Sequence, residues 1–201
     1  MKLSKADAGY YRALMVVVES WQRLGVQVLP GGTRRIGHIP HRAPQAYLHD
    51  IFPGINEVQI RKLELKIGFV LPESLRSFYY LHNGMNLFGR FGVYGLRAHF
   101  DRTSFPSILE QPYDIGTPNI EERPGMAPKE VVFLGSLSEE KVLVFAWPDG
   151  SIGFWDEAVS KLTRKQYDSL LQYLAFAAEI ADLQFDELGK YVGGDLFEVF
   201  E

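Results

Sequence analysis

His38 and His41 sit three residues apart in a His-Ile-Pro-His turn, a spacing at which two imidazoles can hold a metal ion. No third ligand accompanies them and the chain has no cysteine, so they read as exposed loop histidines. His82 precedes Asn83-Gly84 at what reads as a helix end, where a cationic ring would meet the negative end of the dipole. A cap suits it better than general-base work. Thr33-Arg34-Arg35 could hold an anion, but adjacent arginines are common on surfaces. Glu121-Glu122 and Glu139-Glu140 are neighbours in sequence, which does not set two carboxylates across a cleft. Gly89, Gly92 and Gly95 fall in Gly-Arg-Phe-Gly-Val-Tyr-Gly. That is neither a phosphate loop nor a dinucleotide turn that follows a strand and opens a helix; glycines that bend a strand account for it. No serine lies in a G-x-S-x-G elbow, and Asp149 is the turn residue of Pro-Asp-Gly. We therefore expect no catalytic residue, no metal, no cofactor and no enzymatic activity.

Aromatics are the enriched class, with 14 Phe, 10 Tyr and 3 Trp. Phe88, Phe91, Tyr94, Phe100, Phe105, Tyr113, Trp147 and Trp155 crowd the expected strands and the loops beside them. Core packing takes most of them. Phe88, Arg90 and Phe91 mix aromatic rings with arginine, the composition of interface anchors, and are our candidate partner-binding residues.

The elements that must position these groups follow from periodicity. Residues 4–24 read as an amphipathic helix: Ser4 and Asp7 make a capping box, and Tyr11, Leu14, Val18 and Trp21 share a face. Gly25 ends it. Residues 29–54 hold four Pro and four Gly and read as an irregular connector that wraps or links rather than forming a sheet. Asn56 with Gln59 caps the next helix and Gly68 ends it. Pro72 opens a third helix carrying Leu75, Phe78, Tyr79 and Leu81. Asn83-Gly84 stops it, both suited to a left-handed conformation. A short strand broken by glycines covers Phe91 to Leu96. Residues 101–129 hold five prolines and read as a long loop, a kind that is often functional. Strands Val131 to Leu137, Lys141 to Trp147 and Ser151 to Trp155 form an antiparallel meander through a Pro-Asp-Gly turn. Thr163 with Gln166 caps a last helix to about Asp182, with Tyr167, Leu170, Leu171, Leu174, Ala178 and Ala181 on its apolar face.

Composition sets the outer limits. Hydrophobic residues are 46% and charged residues 23% of the chain, as in ordinary globular proteins. Net charge is −4, which offers no broad attraction for nucleic acid or an anionic membrane. No run approaches the ~18 apolar residues of a membrane span, and the N-terminus lacks a signal-peptide core, so we expect a cytoplasmic protein. From Glu179 onward seven acids face only Lys190. Phe185 to Glu201 is nevertheless too apolar to float free and should dock on the body or on a second subunit, leaving the oligomeric state open.

Between Asn56 and Gly84 the pattern Leu63-Glu64, Ile67-Gly68, Leu71-Pro72, Leu75, Phe78, Asn83-Gly84 resembles the SUKH superfamily, which groups bacterial toxin-immunity proteins with fungal cell-wall-synthesis regulators. The looser likeness runs over roughly 50–182. It implies an α+β fold, an antiparallel sheet packed on one face by helices, here with an extra N-terminal helix and a docked C-terminal tail. We divide the chain into 1–49, helix and connector; 50–182, SUKH-like domain; and 183–201, acidic-apolar tail. Within the motif Glu64, Gly68, Leu71, Pro72, Asn83 and Gly84 are expected to be structural, Glu64 by capping a backbone group. The resemblance implies a non-enzymatic protein-binding domain, an immunity protein that covers a cognate toxin. An acidic chain suits a basic toxin. A scaffold in cell-envelope metabolism, or an enzyme with an unrecognised site, are the alternatives.

Overall fold

The computed structural model describes residues 3–98, 108–137, 142–156, 158, 161–162 and 166–193. Among the described residues nine strands pair in sequence order into one open antiparallel sheet. They are β1 (Val26–Val28), β2 (Arg34–His38), β3 (Tyr47–Pro53), β4 (His82–Leu87), β5 (Phe91–Val93), β6 (Val132–Leu137), β7 (Val142–Ala146), β8 (Ile152–Asp156) and β9 (Lys161–Leu162). Helix α1 (Lys5–Ser20) precedes the sheet. Helices α2 (Glu57–Ile67) and α3 (Glu73–Leu81) are inserted between the neighbouring strands β3 and β4, and α4 (Leu170–Asp182) closes the fold against α1. The α+β expectation with helices on one face of an antiparallel sheet holds.

Local chemistry explains most helix ends. Ser4 Oγ accepts from the Asp7 N–H, as the capping pattern requires. Asn56 and Gln59 form a reciprocal capping box at 3.0 Å each way. Gly68 takes the left-handed conformation (φ 66) that ends α2. Leu14 and Val18 of α1, and Trp21 in the 3-10 turn that follows it, are buried in one core with Leu170, Leu174, Ala178 and Ala181 of α4 and the helix-facing strand residues.

Four expectations need correction. Residues 29–54 are not an irregular connector but carry β2 and β3. Their prolines and glycines cluster in the hairpin turns, at 30–32 and 40–44, and at the strand end, Pro53-Gly54. Inside a strand stands only Gly37, at φ 78, where a Cβ would meet Leu48 and Trp21 side chains at 3.1–3.3 Å. Asn83-Gly84 does not stop α3: the helix ends at Leu81 and both residues lie in β4. Gly84 keeps φ 97 because a Cβ there would sit 2.4 Å from the Val93 carbonyl oxygen. The cap of α4 is Ser169, which accepts from the Gln172 N–H; the helix starts at Leu170, and Thr163 lies outside the described residues.

The 101–129 segment is the fourth. Residues 101–107 lie outside the described residues, and the rest is more than a loop. A π-helical turn, Thr117–Glu121, positions Asn119 beneath β6. Asn119 is buried, donates to the Ile115 and Phe133 carbonyls and accepts from the Phe133 N–H, all within 2.8–2.9 Å. Ala127, Val131, Phe133, Leu143, Phe145 and Trp155 make a second, smaller core on the sheet face opposite the helices. Strand alternation builds both cores at once: Val142, Val144 and Ala146 face the first, Leu143 and Phe145 the second.

Candidate functional site

The second core covers only the β6–β8 half of its face. Across the other half, strand register lines up a continuous row: Gln27 opposite Arg35, Arg35 opposite Asp50, Asp50 opposite Asn86, Asn86 opposite Gly92, Gly92 opposite Ser136. Directly opposed residues in an antiparallel sheet share a face. The row continues into Leu143 and Trp155 of the second core, so one face changes from polar to apolar along its length. Over the polar half lies a groove of about 300 Å³.

Asp50, Asn86 and Ser136 supply the polar wall of the groove, and Phe52, Tyr94 and Tyr113 the aromatic one. Tyr94 and Tyr113 pack ring to ring at 4.9 Å, and Tyr113 is 49% exposed at the rim. Gly92 opens the floor: the nearest atoms to a Cβ there, Ser136 Oγ and Tyr94 Cε1, are 3.8 Å away. Arg35 is fully engaged behind this wall. It donates to Asp50 at 2.9 Å and to the Gln45 carbonyl at 2.9 Å, with Tyr47 across its plane at 4.5 Å. Burial pushes the Asp50 carboxyl up, with Arg35 opposing. The arrangement offers acceptors and ring faces. It suits recognition of a polar or cationic side chain.

The residues expected to do chemistry are placed elsewhere and apart. His38 Nε2 faces the Pro44 carbonyl at 3.0 Å while His41 stands in the turn beyond. Among the described residues no three His, Asp or Glu side chains gather as ion ligands. Arg34 is clamped by both Glu19 oxygens at 2.7 and 2.8 Å, so with Arg35 paired to Asp50 neither arginine is set to receive an anion. His82 is not a cationic cap. It sits beside the Tyr11 hydroxyl at 3.0 Å, and burial lowers its pKa to about 4, which keeps the ring neutral. Asp149 turns back onto the Ser151 N–H at 2.9 Å, as a turn residue does.

Of the three interface candidates, Phe88 and Phe91 are 0% and 1% exposed, and Arg90 reaches the surface. Phe88 is held at φ 56 in the β4–β5 turn, packed between Trp21, His49 and Phe185. Arg90 lies over Tyr191 at 4.3 Å and donates to Gln184 at 3.1 Å, so the segment after α4 docks on the hairpin through residue 193. Residues 194–201 lie outside the described residues.

The motif residues form a corner. Glu64 Oε1 accepts from the Leu71 N–H at 3.0 Å and from Arg76 at 2.6 Å, just after the Gly68 turn and just before Pro72. Arg76 also reaches Glu57, which Tyr80 and Arg61 bind as well; those donors hold the Glu57 carboxyl at about 2. Asn83 grips Leu96 in both directions, donating to its carbonyl and accepting from its N–H at 2.8 Å each.

A family model described as SMI1 / KNR4 family (SUKH-1) matches residues 54–175, more than half of the chain. The chain belongs to this SUKH-1 family. Its SUKH-1 span starts just before the α2 cap and ends inside α4, so the helical corner, the groove's Asn86, Gly92 and Ser136, and the second core all fall within it. Strands β1, β2 and β3, helix α1 and the segment after α4 fall outside. A comparison with curated proteins finds no match. Sequence reasoning singled out Tyr94 and Tyr113 as aromatic but missed Asp50, Asn86 and Ser136. The one available signal was a carboxylate beside His49 in the otherwise apolar stretch Leu48 to Phe52.

Proposed function

We propose that this SUKH-1 chain is a non-enzymatic protein-binding domain that acts as an immunity protein, neutralising a cognate toxin by direct contact. The observation that carries the reading is the half-covered sheet face: a groove with aromatic walls, acceptor groups and a rim tyrosine, inside a family whose members include immunity proteins. Net charge of −4 favours a basic partner, because complementary fields speed encounter. Asp50, Asn86 and Ser136 then accept from a lysine or arginine of that partner, and Tyr94 and Tyr113 pack along its stem.

The test begins with capture of a tagged chain from its native cells and mass spectrometry of what is bound. The captured partner is then expressed with and without this chain. Growth arrest by the partner alone, relieved by co-expression, is the expected result. A partner that is harmless alone removes the immunity reading and leaves a scaffold that binds cellular proteins.

A further inference from the structure

Five glycines stand inside the described strands: Gly37, Gly84, Gly92, Gly135 and Gly153. Four have a reason in the fold. Gly37 and Gly84 take positive φ, and a Cβ on Gly135 or Gly153 would meet the Gly92 carbonyl oxygen at 2.0 Å or the Phe145 ring at 2.5 Å. Gly92 has neither reason. Its φ is not positive, and a Cβ there would meet nothing nearer than 3.8 Å, an ordinary contact. The register on both sides of it runs without a shift, so no bulge explains it. A glycine inside a strand weakens it, and where no bulge, bend or backbone approach requires it, the remaining cause is close approach by a ligand.

Register makes the resulting gap specific. Gly92 lies between Asn86 of β4 and Ser136 of β6, so a slot one strand wide opens in the floor of the groove. Ser136 Oγ is 3.8 Å from where a Cβ would stand. Neither the Asn86 nor the Ser136 side chain is taken up by a hydrogen bond to the described residues. Their backbones stand two strand spacings apart, about 10 Å. Tyr113 adds a half-exposed ring at the rim, and Asp50 lies one strand beyond Asn86.

These dimensions discriminate between cations. An ammonium is a compact, strongly hydrated point that reaches one wall, and its burial calls for a carboxylate. The walls are neutral, and the one carboxylate among the described lining residues, Asp50, already binds Arg35 at 2.9 Å. A guanidinium is flat and more weakly hydrated. It carries donors along more than one edge, so it can meet both walls at once and lie against a tyrosine ring. We propose that the Gly92 slot seats one arginine side chain of a protein partner, with Asn86 Oδ1 and Ser136 Oγ accepting on either side, and that the missing side chain at residue 92 makes the groove choose arginine over lysine. This rests on the groove being the partner-binding surface, as the proposed function has it, and narrows what that surface takes.

The probe is Nα-acetylarginine methylamide, titrated to millimolar concentration into the isotope-labelled full chain, with the lysine and glutamine counterparts beside it. The arginine derivative should give saturable shifts at the Gly92 and Ser136 backbone amides and at the Asn86 side-chain amide. The other two should bind at least about fivefold more weakly. Gly92→Leu should remove the shifts while amide signals of β7 and β8 stay in place. Gly92→Ala, whose methyl meets ordinary contacts only, should melt no lower than the parent and still weaken the arginine derivative. No saturable shift, equal affinity for the three derivatives, or arginine binding untouched by Gly92→Ala overturns the proposal. The growth assay is read separately. A captured partner that is harmless alone removes the immunity reading and leaves these titrations standing. Growth protection by Gly92→Leu equal to that by the parent removes the slot and leaves the immunity reading standing.

Discussion

Glu64 holds the α2–α3 corner through a single oxygen, shared by the Leu71 N–H and Arg76. Its side chain is 13% exposed, so water replaces it poorly. Glu64→Ala should lower the unfolding free energy by about 2 kcal/mol, the cost of leaving the Leu71 N–H unpaired and Arg76 with Glu57 alone. Glu64→Gln, which can still accept from Leu71, should recover part of that loss in urea denaturation. His49 makes the second prediction at this scale. It is fully buried with Nε2 unpaired, and burial lowers its pKa to about 3 from an ordinary 6.5. The unfolded chain takes up the proton first as pH falls. The stability contributed by neutral His49 is complete above pH 6.5 and declines from there toward pH 3, by up to about 1.4 kcal/mol per pH unit. His82, lowered to about 4, bends the curve in the same direction. Unfolding midpoints measured from pH 7 to pH 4 should therefore fall, and His49→Gln should flatten the slope; an unchanged slope would contradict this account of the residue.

Elements show where local sequence suffices and where it fails. The Asn56–Gln59 capping box and the Gly68 stop lie within a few residues of the helix they bound, so they can be read directly. Strands β2 and β3 hide behind prolines and glycines that serve their turns, and the linear count of those residues suggests irregular chain where there is a hairpin. The second core escapes for a different reason: Phe133, Phe145 and Trp155 meet through strand register and Ala127 joins them from a segment rich in proline. The groove needs register across four strands to bring Asp50 to Ser136, which no local window contains. Ser169 shows the same limit. It caps α4, and its hydroxyl also donates to Asp7 at 2.6 Å, across 162 positions of sequence. Asp7 in turn accepts from Ser4, so two helix N-termini share one buried carboxylate. Ser169→Ala should destabilise the protein by about 1–2 kcal/mol, through the lost cap and an under-satisfied Asp7. Thermal unfolding checks it; a melting temperature within error of the parent would mean that Gln172 and water replace the hydroxyl.

At the scale of the molecule, the proposed function has the sheet separate stability from recognition. One face is sealed by α1, α3 and α4, and the β6–β8 part of the other by the 108–133 segment. The β3–β6 part keeps the groove. Net charge of −4 surrounds this with a field that would favour the proposed basic partner and weakens with salt over a Debye length of about 8 Å at physiological ionic strength. Tyr113, half-exposed at the rim, belongs to neither core, and Val58, 72% exposed on α2, lies away from the groove as a control. The decisive measurement is the dissociation constant of the captured partner for the parent chain, Tyr113→Arg and Val58→Lys, at low and moderate salt. The account predicts a basic partner at one-to-one stoichiometry, weakened by added salt. It predicts a loss of at least about tenfold, roughly 1.4 kcal/mol, for Tyr113→Arg, and parent-like affinity for Val58→Lys. Affinity untouched by Tyr113→Arg, or binding that is insensitive to salt and as strong for acidic proteins, would contradict it.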